Sequence, residues 1–214
     1  MKKVVFENEH RKKHFDFFSG MNHPHFNLTA NLDVTAFLIF AKRRALPINF
    51  SLVYVLSRAA NEIKEFRWRI RDKEIVEHET VQPSFTVPTD EADVFSFCTV
   101  PYDRKAMTFI TEAKKVQEAM RSNPSIEDDP GRDDYLFMSA IPWVSFTSVQ
   151  HAMHYHPHDS VPRISWGKFF EQSGKQLMPV AMQAHHALVD GRHMGRYFEL
   201  LQKFLAEPSA YFMA

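Results

Sequence analysis

His185-His186-Ala187-Leu188-Val189-Asp190-Gly191 is the stretch that decides how the chain reads. Before it runs Leu177-Met178-Pro179-Val180-Ala181-Met182-Gln183-Ala184, apolar enough for a buried strand. After it, from about Arg192 to Leu205, the apolar spacing turns helical. Two adjacent imidazoles therefore end a strand, with a carboxylate four residues after the second. Gly191 lets the chain turn there without a Cβ clash. An imidazole in such a place suits a general base, because its ordinary pKa of about 6.5 lies near working pH. Taken alone, the spacing of His186 and Asp190 is in most chains that of a polar turn, and a metal site is a second alternative, since His and Asp are common ligands.

The segments before it carry more strands than helices. Ile164-Ser165-Trp166-Gly167-Lys168-Phe169-Phe170 reads as one strand, joined through Gln172-Ser173-Gly174-Lys175 antiparallel to the His-bearing strand. Tyr135 to Phe146 reads as a central strand that Pro142 ends or bends. Between them lie His151, His154, His156 and His158, with no Cys or acidic ligand among them, which reads as a polar loop rather than a metal site. Residues 123–134 form a solvated loop, and Met107 to Arg121 an amphipathic helix. Ser84–Val87 and Val94–Val100 are strands, and Trp68–Arg71 with Glu74–Glu77 form a hairpin around Asp72-Lys73. Ser51 to Ile63 is the strongest helix, with buried first turns. Phe26 to Leu32 alternates as a strand, and Asp33 caps a helix running to about Arg44. Residues 9–18 form a short helix whose aromatic side is His14, Phe15, Phe17 and Phe18, with Arg11 one turn before Phe15 and Gly20 as its stop. Strands without strict β-α alternation predict an α+β fold: a two-layer sandwich of one mixed, mainly antiparallel sheet with helices on one face.

A chain of 214 residues fits one domain spanning 1–214, and 44% hydrophobic residues supply a real core. Twenty Phe residues suggest aromatic packing or a pocket with aromatic walls. Lys plus Arg (26) equals Asp plus Glu (26), so nothing points to nucleic acid or a membrane surface as partner. Cys98 alone excludes an intrachain disulfide and a multi-Cys metal site. The start meets charge at Glu7 before a signal-like apolar region forms, and no apolar run approaches the ~20 residues of a membrane span, so a cytoplasmic protein is expected. Zero net charge is compatible with an oligomer.

The opening string resembles the His-His-x-x-x-Asp-Gly motif of the chloramphenicol acetyltransferase family and its wider coenzyme-A acyltransferase relatives. Arg11 through Phe18 resembles that family's Arg-x-x-His-Phe-x-Phe-aromatic segment, and Ser139-Ala140-Ile141-Pro142-Trp143 its Ser-Ala-(Leu/Ile)-Pro-Trp signature. Pro101-Tyr102 follows a strand where the family has the same pair. These matches fall in the right order and cover nearly the whole chain. Its length suits this family better than condensation domains or plant acyltransferases, which are about twice as long.

The resemblance implies an acetyl-coenzyme A-dependent O-acetyltransferase acting on chloramphenicol or a similar small hydroxyl acceptor, without metal. It implies His186 as the base, Ser139 as hydrogen-bond donor to the tetrahedral intermediate, and Asp190 as a structural carboxylate paired with Arg11. His185 is structural on this reading. No acyl-enzyme is implied, since Cys98 lies outside the motifs. Ser165 falls where the family has a hydroxyl near the intermediate, and Lys168 where a lysine approaches coenzyme A. Phe17, Phe26 and Phe95 match aromatic pocket positions. Phe18 stands where members that acetylate chloramphenicol carry a tyrosine, and Pro24 and His25 replace small residues. The family also implies a homotrimer with active sites between subunits. The other readings are a relative using another small alcohol or a thiol, and a non-catalytic His-rich metal-binding module.

Overall fold

In the computed structural model, which describes every residue except Glu91, Ser122, Asp128, Tyr155, His158 and Ala214, the elements run β1 (Lys2–Val4), α1 (Glu9–Ser19), β2 (His25–Asp33), α2 (Thr35–Arg43), α3 (Ile48–Asn61), β3 (Trp68–Arg71), β4 (Glu74–Glu77), β5 (Gln82–Pro88), β6 (Phe95–Thr99), α4 (Ala106–Arg121), β7 (Tyr135–Ile141), β8 (Arg163–Gly167), β9 (Phe170–Gln172), β10 (Lys175–His185), α5 (Gly191–Ala206) and α6 (Pro208–Phe212). Strands β2, β10, β8, β7, β5 and β6 lie side by side in that order, and β9 adds to β10, giving a seven-stranded sheet. β7 is parallel to β5 and to β8. The other pairings are antiparallel.

Period-two alternation gives this sheet two different faces. Phe85, Cys98, Met138, Ile164, Val180 and Met182 share one face and enter the core under the helices. Ten of the 14 residues of α3 are buried, so it forms the middle of the helical layer, touching α4 and α5. Ser84, Thr86, Ser139, Ser165 and Gln183 alternate with those core residues and leave the opposite face. No helix among the described residues is long and apolar enough to cross a membrane.

Three expectations change. The single sheet becomes two, because the β3–β4 hairpin pairs with β1 and forms a separate three-stranded sheet. Its turn needs the left-handed backbone of Asp72 (φ 47°) and Lys73 (φ 70°). Arg69, wholly buried, ties it to the main sheet by donating to the carbonyls of Phe66, Trp68, Asp133 and Tyr135. The strand expected over 164–170 splits in two. At Gly167 a Cβ would stand 2.7 Å from the Val144 carbonyl oxygen, and Lys168 N donates to that same oxygen at 2.9 Å. The chain therefore leaves the ladder at Lys168 and rejoins it as β9. Finally, Asp33 ends β2 and Val34 holds the N-cap position of α2, although the Asp33 carboxylate still accepts from Thr35 N at 3.0 Å.

Candidate active site

β10 is paired with β2 from Leu177 opposite Asp33 to His185 opposite His25. His186 extends the pairing by one bond, donating its N–H to the Pro24 carbonyl at 2.8 Å. The chain then turns, with Leu188 N and Val189 N both returning to His185 O at 3.0 Å. The turn sends the neighbouring imidazoles to different environments. His185 is 2% exposed, and its Nδ1 accepts from Ala187 N–H at 3.3 Å. His186 Nδ1 stands 3.1 Å from the Val189 carbonyl. A carbonyl oxygen can only accept, so Nδ1 carries the hydrogen and Nε2 keeps its lone pair. Phe18 stacks on one side of the ring at 4.0 Å and Phe26 at 4.2 Å, with interplanar angles of 20° and 26°. The stacked phenyl rings hold the imidazole in its plane and leave its edge for chemistry.

Helix α1 supplies Phe18 and also Arg11 and His14. The expected Arg11–Asp190 ion pair does not form: no nitrogen–oxygen approach within 4.0 Å links these two described residues. Arg11 instead donates to the Leu188 carbonyl at 2.6 Å and to His14 Nδ1 at 2.7 Å, and lies over the Phe6 ring. Asp190 has a different task. Its carboxylate accepts from Arg192 N at 3.1 Å and caps α5, while its own N–H donates to His193 Nδ1 at 2.9 Å. The N–H of Arg192 holds the Asp190 carboxyl below its ordinary range. Guanidinium and carboxylate thus brace the turn from its carbonyl side and its helix side, without meeting.

Burial, then Arg11, lowers the pKa of His14. A neutral His14 that accepts at Nδ1 carries its hydrogen on Nε2, which stands 3.9 Å from Asp190 Oδ2. His14, His186 and Asp190 bring one metal-ligating atom each within 4.8 Å of one another. Arg11 opposes a metal there, since its cation already occupies one nitrogen of His14. Among the described residues the His151–His158 stretch forms no such cluster. His154 and His156 are exposed, and His158 lies outside the described residues.

The remaining candidates lie elsewhere. Ser139 on β7 pairs with Ser165 on β8, and Ser165 with Ala181 on β10. His186 is five residues beyond Ala181. At about 3.3 Å per residue and 4.8 Å per strand, Ser139 and His186 of one chain are roughly 19 Å apart. Their side chains also leave different faces, because His186 stacks on Phe26, whose partner Ala184 enters the core. Ser139 Oγ is 3.5 Å from Thr86 Oγ1. Ser165 has no exposed surface in the single chain, and its hydroxyl is bonded to His151 Nε2 at 2.9 Å. Lys168 is exposed beyond it. Phe95 is half-exposed on the edge strand β6 beside Phe97. Phe17 is exposed, edge-on to Phe18 at 5.1 Å. His25 is buried, with Nε2 on the Asp159 carbonyl at 2.7 Å.

His14 and His151 were not among the sequence candidates. The signal for His14 was available, since it lies three residues after Arg11 and four before Phe18 on one helix. His151 had none, because only the fold lays its loop over Ser165.

A model of the family described as chloramphenicol acetyltransferase matches residues 1–202. A chloramphenicol acetyltransferase of Klebsiella sp is 32% identical over 198 residues, covering 92% of this chain and 90% of the relative. One from Bacillus pumilus is 31% identical over 203 residues, covering 94% and 92%. A solved chloramphenicol acetyltransferase structure superposes with a TM-score of 0.83 at 27% identity, over 95% of this chain and all of that one. A dihydrolipoamide acetyltransferase of Azotobacter vinelandii shares the fold, with a TM-score of 0.69 at 16% identity over 99% of this chain and 93% of that one.

Proposed function

Since the chain belongs to the chloramphenicol acetyltransferase family, we propose that it transfers the acetyl group of acetyl-coenzyme A to a hydroxyl of chloramphenicol, with the whole chain as one catalytic domain and His186 as general base. The observation that carries the base assignment is the hydrogen bond of His186 Nδ1 to the Val189 carbonyl. It leaves Nε2 as the proton acceptor at the open edge of a ring stacked between Phe18 and Phe26. The acceptor O–H gives its proton to Nε2 while its oxygen attacks the thioester carbonyl carbon. Ser139 donates to the oxyanion of the tetrahedral intermediate, a bond of the kind worth ~3–4 kcal/mol. When the intermediate collapses, the carbon–sulfur bond breaks and the imidazolium returns its proton to the leaving thiolate. Lys168 is assigned to the anionic end of coenzyme A, a role its exposure supports.

At roughly 19 Å along and across the sheet, Ser139 cannot serve the His186 of its own chain. We therefore assign each working site to two copies, with His186, Phe18 and Phe26 from one and Ser139 and Phe95 from the next, closed into a homotrimer. Exposed Trp143 and Val144, next to Lys168, offer apolar surface for that contact. Closure between copies also keeps water from the thioester. Thiol release from acetyl-coenzyme A in the presence of chloramphenicol tests the reaction, and its absence overturns the reading. Sedimentation tests the assembly: a trimer of the 25.0 kDa chain is expected, and a monomer would end the shared-site assignment.

A further inference from the structure

Between β7 and β8, Val149, His151 and Asp159 lie on the polar face of the main sheet, and side chains of that face hold them down. Asn27 Nδ2 on β2 donates to the Val149 carbonyl at 2.9 Å. Gln183 Oε1 on β10 accepts from His151 N at 3.1 Å. His25 Nε2 meets the Asp159 carbonyl at 2.7 Å, and Arg163 on β8 pairs with the Asp159 carboxylate. These attachments set the His151 ring over β8, with Nε2 2.9 Å from Ser165 Oγ. Burial, then Arg163, holds the His151 pKa down, so the ring is neutral near pH 7. Ser165 stands level with Ser139 on the adjacent parallel strand and on the same face. A serine hydroxyl is a rotor, and its proton turns to suit its partners. With Ser165 wholly buried, the imidazole decides where that hydroxyl points.

We propose that His151 is a positioning residue for acyl transfer, because its hydrogen bond to Ser165 Oγ fixes the hydroxyl that stands beside Ser139. The proposal rests on the reading of Ser139 as oxyanion donor. His151 touches neither acyl donor nor acceptor in this role. It acts through Ser165, on the polar surroundings in which Ser139 meets the intermediate.

The test compares wild type, His151→Leu, His151→Gln, Ser165→Ala and the His151→Leu/Ser165→Ala double variant, by thiol release with acetyl-coenzyme A and chloramphenicol and by melting temperature. Wild-type turnover comes first, and its absence sinks the functional reading before the variants are compared. His151→Leu is expected to lower kcat about tenfold, the scale of one hydrogen bond, with both KM values held within about twofold. Gln places an amide where Nε2 was and should restore part of that loss. In the Ser165→Ala background His151→Leu should change little, because its target is gone. Full kcat in His151→Leu overturns the proposal, as does independent multiplication of the two losses. A loss confined to the chloramphenicol KM also overturns it, making His151 a pocket wall instead. If His151→Leu does not fold, His151→Asn, whose amide is too short to reach Ser165 Oγ, replaces it and is read by the same outcomes.

Discussion

Around His186 the supporting groups are Phe18, Phe26, a backbone carbonyl and the capped start of α5. Around Ser139 they are Thr86, Ser165 and His151 on the polar face of the sheet. The first region orients a planar ring by shape, with stacked rings beside it and one acceptor on its edge. The second orients hydroxyl rotors, which have no shape to grip, by hydrogen bonds. A lone pair that must take a proton gains from dry walls, whereas a developing oxyanion needs donors. One chain carries both regions on one sheet, roughly 19 Å apart, so the proposed chemistry calls for the first region of one copy to meet the second of another.

Removing the proposed base breaks the first region most directly. His186→Ala should lower kcat by ~10²–10⁴-fold with an unchanged melting temperature, and retention of more than about a tenth of kcat would contradict the assignment. Ser139→Ala should cost ~10²–10³-fold in kcat with little change in the acetyl-coenzyme A KM, and a pure KM effect would count against an oxyanion role. Mixing these two dead variants sharpens the comparison. In randomly assembled cyclic trimers about a quarter of the sites join an intact His186 to an intact Ser139, so about a quarter of wild-type activity should return. No recovery in verified mixed trimers would place both residues in one chain's site.

Acid should act on both regions, since histidines with lowered pKa stand in each. Burial is the main cause holding the pKa values of His25, His78, His151 and His193 below the ordinary histidine value. The unfolded chain then binds protons that the folded one refuses. Stability is full above the unfolded value of about 6.5 and falls as pH drops through it. The melting temperature should be lower at pH 5.5 than at pH 7.5, and His25→Gln should flatten that slope. A flat wild-type profile would refute the sign. The smallest effect is expected at Asp190. As an N-cap its loss in Asp190→Ala costs about 1 kcal/mol, and Asp190→Asn, which caps as well, much less. A denaturation loss of several kcal/mol in Asp190→Asn would restore the ion pair with Arg11 that the geometry lacks.

The first region was legible because its residues are local. His185 to Gly191 is a single run, and the helix holding Arg11, Phe17 and Phe18 is another. What the run could not carry was the partner of each charge. Arg11 and Asp190 attract on paper, but the Leu188 carbonyl and the N-terminus of α5 satisfy them separately. The second region was legible only at Ser139, whose motif is contiguous. Ser165 was reached through the resemblance alone, and its partner His151, fourteen residues away in a polar loop, gives no periodic signal. β1 and α6 escaped for a related reason. With 3 and 5 residues they are too short for a period to show, and their neighbours hold them in place.

The pairing of residues 25–33 with residues 175–185 has a consequence for the order in which the protein is made. β10 lies between β2 and β8, so until it is synthesised both neighbours are bare sheet edges. A ribosome adds about 5–20 residues per second, so residues 34–174, between β2 and β10, take ~7–28 s. During those seconds β2 waits with Leu28, Ala30 and Leu32 uncovered by their partners Met182, Val180 and Met178. The nascent chain is most exposed to mispairing just before the strand that ends at His185 emerges, and a chaperone that shields extended segments would matter most there.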